Sequence, residues 1–411
     1  MQRIIAYLFV SFGSFSIAQA QNCLPQGITL NQQWEVNAFP NNYPGCTQIQ
    51  GYLKIGPSND ASAGGITDLT PLSQITSVGG YLMVEATLGL EELTGLDNLT
   101  SVGGYAKFNM NDYLSDISAL SNLTTVGGYL EVRLNPVLSS LTGLGSVTST
   151  GGNLVVHLNS SLTDLQGLEG LVDIGGGCSI ENNPSLVSMN GLAPSSVGVA
   201  FWVKGNPLLT DLSAASGLTS IGGWLNLQDN ASLPSLQELS GVTALGGYLR
   251  VQNCPLITDL SPLQNIDPTT ITQLLFQDLP GVSDCALENI CTYLGLPNAQ
   301  PTIANNAAGC ASVAEVEAAC SSVGMDDIVS SAGTLRLFPN PARELITIEL
   351  SDPGMRYYRI LDVMGREVMS RALANDGGPI RMLDVAALPQ GTYLLEVGGT
   401  NGSAMSRFIK E

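Results

Sequence analysis

The chain reads as a mostly β protein: a parallel-sheet solenoid of 24-residue coils followed by a small antiparallel β-sandwich. Three observations predict it. Gly-Gly pairs recur at a fixed interval from Gly79 to Gly246, apolar residues stand in register behind each pair, and residues 335–411 abandon both patterns for short alternating runs separated by turns. Composition agrees with this. The 411 residues are 44% apolar but only 12% charged and 6% aromatic, with 46 glycines, which suits a Gly-punctuated β chain better than a helical enzyme. Asp and Glu outnumber Lys and Arg by 35 to 15, for a net charge of −20. Nucleic acid and anionic membrane surfaces repel such a protein, so neither is an expected partner.

Residues 1–20 read as an export signal, with Arg3 ahead of an apolar run from Ile4 to Phe12 and a small-x-small cleavage site at Ala18-Gln19-Ala20. That run is too short to span a bilayer, which takes roughly 20 apolar residues. The Gly pairs then begin at Gly79, Gly103, Gly127, Gly151, Gly175, Gly222 and Gly246, 24 residues apart, with one degenerate copy hidden at Ser196-Val197-Gly198-Val199. Three and five residues after the first Gly come apolar columns, such as Leu130 and Val132 or Leu249 and Val251, so each copy contributes one short strand. Eight residues after it comes Asn111, Asn135, Asn159, Asn183 or Asn230, replaced by Cys254 in the last full copy. An amide there can bond the turning backbone and its neighbour in the next coil. Apolar residues then recur every third position, as in Leu162, Leu165, Leu168 and Leu171. This period marks a 3₁₀-like or extended return path.

The line from strand to Asn column resembles the leucine-rich repeat, and its Gly-Gly-Tyr-Leu-x-Val start resembles the receptor L-domain variety of that fold. The resemblance covers residues 49–283. Residues 21–48 form an N-terminal cap and 284–320 a Cys-rich helical C-terminal cap, with helix-like segments over Asp284 to Leu294 and Ser312 to Ala319. In an exported protein eight cysteines favour oxidation. Cys23 and Cys46 bracket the first segment and are paired here. The four C-terminal cysteines admit three pairings, of which Cys285 with Cys310 and Cys291 with Cys320 staples the two helices together. Cys178 and Cys254 fall in inward columns and are expected to be free and buried. No metal or cofactor is expected, since the sequence has one histidine and no closely spaced Cys pair.

After a linker at 321–334, residues 335–411 carry Leu337-Phe338-Pro339-Asn340-Pro341-Ala342, Ile360-Leu361-Asp362-Val363-Met364-Gly365-Arg366, Leu388-Pro389-Gln390-Gly391-Thr392-Tyr393 and the final Arg407-Phe408-Ile409-Lys410. These closely resemble the C-terminal sorting domain of the type IX (Por) secretion system, with Pro339, Asn340, Pro341, Gly365, Gly391 and Tyr393 as its motif residues. The resemblance implies recognition by the type IX machinery and display on the outer cell surface or release outside the cell. It also implies removal of the sorting domain, often with attachment of the cargo to surface lipopolysaccharide.

Between residues 21 and 330 there are 26 acids and only five bases, Lys54, Lys107, Arg133, Lys204 and Arg250. All five fall on outward strand positions, four or six after the first Gly. The same face carries Tyr52, Tyr81, Tyr105, Tyr129, Trp224 and Tyr248 in one column, with Trp202 one strand from Trp224. Cross-strand stacking accounts for the tyrosines as well as binding does. Exposed Trp beside the available cations favours recognition, because Trp, Tyr and Arg dominate binding hot spots. The expected ligand site is Trp202, Lys204, Trp224, Asn226, Tyr248 and Arg250, and the expected ligand a surface protein or glycan. A carbohydrate-active enzyme and a passive spacer are the alternatives. No Gly-x-Ser-x-Gly elbow accompanies His157, and the outward acids Glu85, Glu131 and Glu181 lie two coils apart, about 10 Å, beyond glycosidase separations of about 5 to 9.5 Å. No catalytic residue is assigned. Asp68, Asp116, Asp164, Asp211 and Asp259 recur on the return path, mostly two coils apart, and read as turn acceptors and not as Ca²⁺ ligands.

Overall fold

The computed structural model describes residues 21–57, 65–323, 335–350, 355–362, 366–372, 380–399 and 402–411. The export signal, residues 324–334 of the linker and Gly365 lie outside them. The chain divides into two compact units, Met1–Ala319 and Cys320–Glu411.

All but the last two coils of the first unit contribute two strands where the sequence predicts one. A long strand follows the Gly pair and joins a 12-stranded parallel sheet, while a two-residue strand just before the pair joins a second parallel sheet of ten. Ser101–Val102, Thr125–Val126 and Ser149–Thr150 are such short strands. Two residues are too few to show alternation, and the inward one coincides with the last step of the period-three pattern. The Gly pair is the corner between the sheets, and coils stack in exact step, Leu130 opposite Leu154 and Val132 opposite Val156.

The corner explains the glycine. A Cβ on Gly103 would lie 2.2 Å from the Gly79 carbonyl oxygen, one on Gly127 2.1 Å from that of Gly103, and one on Gly246 1.9 Å from that of Gly222. Backbone rests on backbone here. The degenerate copy keeps Gly198 and replaces only the second glycine, by the exposed Val199. That copy is one residue short, with Phe201 opposite Cys178, so the period of 24 slips once without losing register.

Inside the coil the apolar columns are shut from solvent, and the Asn column runs through the core as a ladder. Asn159 Nδ2 donates to the Val132 carbonyl at 2.9 Å, and its Oδ1 accepts the Asn135 backbone N–H at 3.2 Å. The pattern repeats at Asn111, Asn135 and Asn183, and continues through Asn206, which the degenerate copy conceals in the sequence. At Cys254 the ladder ends. Burial pushes that thiol up to about 11, although the Asn230 backbone and side chain both bond it. Just before the column every coil turns through left-handed backbone, on Asn182, Gly205, Asp229 and Asn253 but also on Met110, Leu134 and Leu158 (φ 58°, 54° and 58°).

The sheet runs past the expected boundaries of 49 and 283 at both ends. Ile28–Leu30 pairs with Leu53–Ile55 and Gln21–Cys23 with Cys46–Ile49, so residues 21–48 are themselves a coil, its return path the helix Gln33–Asn42. Glu35 starts that helix by accepting the backbone N–H groups of Asn31 and Gln32. At the other end Pro301–Ala304 adds a strand beyond Gln273–Gln277. The helix between them begins at Glu288, four residues after the predicted start, and the Asp284 carboxylate accepts the Ala286 N–H in the turn before it. The second helix is Val313–Val323. Disulfides join Cys23 to Cys46 and Cys285 to Cys310, Cys291 and Cys320 are disulfide-bonded too, and Cys178 and Cys254 are free and buried.

The second unit is a sandwich of a three-stranded and a four-stranded antiparallel sheet. Ile346, Ile348 and Leu383 of one sheet and Ile360, Leu395, Val397 and Phe408 of the other share one core. Asn340 ties the Pro-Asn-Pro segment to the last strand, accepting the Ile409 N–H at 2.8 Å and donating to the Arg407 carbonyl at 3.2 Å. Tyr393 packs on Phe408 and donates its hydroxyl to the Pro389 carbonyl, while Gly391 pairs with Lys410.

Two substitutions should move stability in opposite directions. Asn159→Ala leaves the Val132 carbonyl and the Asn135 N–H without partners in the core and is expected to cost about 2–4 kcal/mol in urea unfolding. Met110→Asn relieves a left-handed, exposed methionine and is expected to add about 0.5–1 kcal/mol.

Candidate functional site

The outward face of the long-strand sheet is a grid, because positions four and six after the first Gly recur on every strand. In its first half three bases stand against three acids. Lys54 pairs with Glu85 at 2.8 Å and Lys107 with Glu131 at 3.4 Å. Glu181 accepts from the Ser179 hydroxyl, and His157 lies between Arg133 and Glu181 with Nε2 3.0 Å from the Asn182 amide. Glu85, Glu131 and Glu181 thus each have a partner on the sheet.

The aromatic column splits in two. Tyr52, Tyr81, Tyr105 and Tyr129 stack face to face, with centroids 4.8, 4.6 and 4.5 Å apart and planes within 5°. The spacing is that of the strands themselves. Mutual burial pushes the Tyr129 hydroxyl up to about 12. Asn153, Gly177 and Ala200 occupy the next places and end the stack, so Trp224 stands outside it, half exposed at 50%. A Cβ on Gly247 would lie 2.7 Å from Trp224 Cδ1, so the glycine seats this ring.

Of the predicted site residues, Trp202, Lys204, Trp224, Asn226, Tyr248 and Arg250 lie on three adjacent strands, Ala200–Lys204, Trp224–Gln228 and Tyr248–Gln252. Trp202 is opposite Asn226, and Asn226 opposite Arg250. Lys204 is opposite Gln228, in a second row. Trp202 Nε1 and Asn226 Oδ1 are buried without a hydrogen-bond partner, Asn226 being only 4% exposed. Arg250 donates from both Nε (2.9 Å) and Nη2 to Gln252 Oε1. Gln252 and Gly247 are the members that sequence reasoning missed. Their only signal is the Gly-pair register, which places Gln252 six after Gly246 but says nothing of the guanidinium it holds.

The acidic column of the return path is a turn device. Asp116, Asp164, Asp211 and Asp259 each accept the backbone N–H two residues ahead, at 2.7, 3.0, 3.0 and 2.8 Å. On the intervening coils Ser140, Ser188 and Ser235 do the same with their hydroxyls. From Asp116 to Asp259 Asp and Ser therefore alternate, which accounts for the two-coil interval there, whereas Glu92 fills the place between Asp68 and Asp116. Like charges one coil apart would repel by about 1 kcal/mol in water and more at a protein surface. Although burial opposes it, the Ser213 and Ser188 hydroxyls hold the Asp211 carboxyl below the usual range. Among the described residues no cluster of three or more His, Cys, Asp or Glu is placed to hold a metal ion.

Burial, aided by Arg133 and opposed by Glu181 and Glu131, lowers the His157 pKa from 6.5. As the sole histidine its ring resonance is unambiguous, and its NMR titration midpoint is expected below 6.5. The unfolded chain then takes up this proton first, so acidification below pH 6.5 removes stability until the folded-state pKa is passed. A midpoint above 6.5 would contradict the burial.

Residues 336–411 match the family model of the secretion system C-terminal sorting domain, and residues 45–115 that of the receptor L domain. Both are non-catalytic families. No curated protein matches the chain. The chain therefore combines a receptor L domain, within a longer run of stacked coils, with a type IX secretion sorting domain, and is exported to the cell surface or the extracellular space.

Proposed function

We propose that the coils form a recognition module carried outside the cell by the sorting domain, and that it binds a surface protein or glycan on the outward face around Trp202, Trp224, Asn226 and Arg250, with Lys204 and Tyr248 at the rim. The supporting observation is the coincidence at Asn226. A buried carbonyl without a partner costs about 1–3 kcal/mol, and here it adjoins an indole N–H in the same condition and a half-exposed tryptophan. The buried amide carbonyls of Asn31, Asn109 and Asn289 also lack partners, but among the described residues only Asn226 stands opposite an indole N–H in the same condition. Open polarity beside an exposed aromatic is the anatomy of a binding hot spot. The Gln252 clamp on Arg250 adds to it, since a guanidinium already held in place loses less freedom on binding.

The test is retention of host and bacterial surface material, proteins and glycans, by the immobilised full chain. Trp202→Ala and Trp224→Ala are expected to weaken capture roughly thirtyfold, about 2 kcal/mol each. Asp116→Ala and Asp164→Ala on the return path should leave it within a factor of two or so. Equal losses from both sets, or none at the tryptophans, reject the outward-face site.

A further inference from the structure

We infer that the ligand of this face is an acidic saccharide, a chain of sugars bearing carboxylates; this deepens the recognition reading above and rests on it. The charge pattern points first. Across Leu53–Ile55 to Cys178–Glu181 the outward positions hold three bases and three acids, Lys54, Lys107 and Arg133 against Glu85, Glu131 and Glu181, four of them joined in two ion pairs. Across Ala200–Lys204, Trp224–Gln228 and Tyr248–Gln252 they hold Lys204 and Arg250 and no acid. Glu181, opposite Lys204, is engaged by Ser179 and forms no ion pair with the lysine among the described residues. Asp229, just past its strand, accepts from the Asn253 amide at 2.8 Å. In a module with 26 acids and five bases between residues 21 and 330, an acid-free cationic patch is a place where an anion is admitted and a cation is not.

The remaining groups select a sugar. Beside Trp224 in the outward grid stand Ala200, Tyr248 and the amide Asn226, and the row of Lys204 continues with the amides Gln228 and Gln252, so amides line the strip between the indole and the lysine. Planar amides pair with adjacent hydroxyls, and the half-exposed indole, propped on Gly247, offers a flat face for the C–H side of a pyranose ring. A hydroxyl is donor and acceptor at once, so a single one can answer both Asn226 Oδ1 and Trp202 Nε1, which belong to residues paired across adjacent strands about 4.8 Å apart. Both atoms are shut from solvent in the free protein, and a side-chain rotation of the kind interfaces commonly show would bare them. The carboxylate then falls to Lys204 or to the outer edge of the Arg250 guanidinium, whose Nε and Nη2 Gln252 already occupies. Three strands span about 10 Å, room for two linked sugars.

The experiment immobilises oligogalacturonate, hyaluronan and a sialylated oligosaccharide, each beside its carboxyl-methylated form, with an Asp/Glu-rich peptide alongside, and measures binding of the full chain. Binding to at least one carboxylated glycan is expected, at least tenfold tighter than to its methylated form and weaker in high salt. Trp224→Ala, and Lys204→Gln with Arg250→Gln together, should each lower it at least tenfold, while Lys54→Gln, already paired with Glu85, should leave it unchanged. Equal binding of methylated and free forms, still lost in Trp224→Ala, overturns the acidic-ligand inference and leaves the recognition site standing. Tighter binding of the acidic peptide replaces sugar by protein. Glycan binding untouched by Trp224→Ala sinks the site itself, and no binding to any carboxylated glycan refutes the inference.

Discussion

The structure depends on one contact, the first glycine of each corner lying on the carbonyl of the glycine one coil before. With about 2 Å between that oxygen and any added Cβ, a side chain on the first corner glycine would push the two coils apart, and only toward the ends of the stack do other residues, Gln50 and Ile271, take that place. Once the corner sets the spacing near 4.8 Å, every other column is obliged to stack on itself. The degenerate copy shows how strict the requirement is, since it gives up the second glycine, a residue of length and part of the consensus, but keeps Gly198.

A column that stacks on itself must be chemically compatible with itself. Amides are, because each carries both donor and acceptor, and the result is the ladder from Asn111 to Asn230. Tyrosine rings are, when offset and parallel, and four of them stack at the strand spacing. Carboxylates are less so: from Asp116 to Asp259 aspartate alternates with serine, which supplies the same turn acceptor without the charge, although Glu92 stands in the column one coil before Asp116. Thiols in the core stay protonated: burial pushes Cys178 up to about 12, which suits a packing residue and not a nucleophile.

The outward face escapes this discipline, and it is there that the coils differ from one another. Acids and bases on neighbouring strands neutralise one half, whereas the other carries tryptophan, glutamine and two cations without carboxylate partners on its own three strands. A solenoid of nearly identical coils thus becomes a surface with a direction along it, and the sorting domain supplies the route by which that surface leaves the cell.

The repeat was legible in the sequence because its cause is local and recurs: the Gly pair, the inward Leu and Val columns and the Asn column each repeat the same steric demand coil after coil. The sorting sandwich was legible from motifs whose packing the structure explains, with Asn340 bonding the final strand and Tyr393 packed on Phe408. The second sheet was not, since two-residue strands carry no period of their own. Nor were the outermost strands at Ile28–Leu30 and Pro301–Ala304, where the corner glycines are missing and only pairing with the neighbouring coil defines a strand. Sequence spacing put Trp202, Trp224 and Arg250 on one face because strand alternation determines it. Which of those side chains are already satisfied depends on partners in other coils and on rotamers, and so only the tertiary structure decided that Lys54 is neutralised by Glu85, that Gln252 fixes Arg250, and that Asn226 and Trp202 keep polar atoms unpaired.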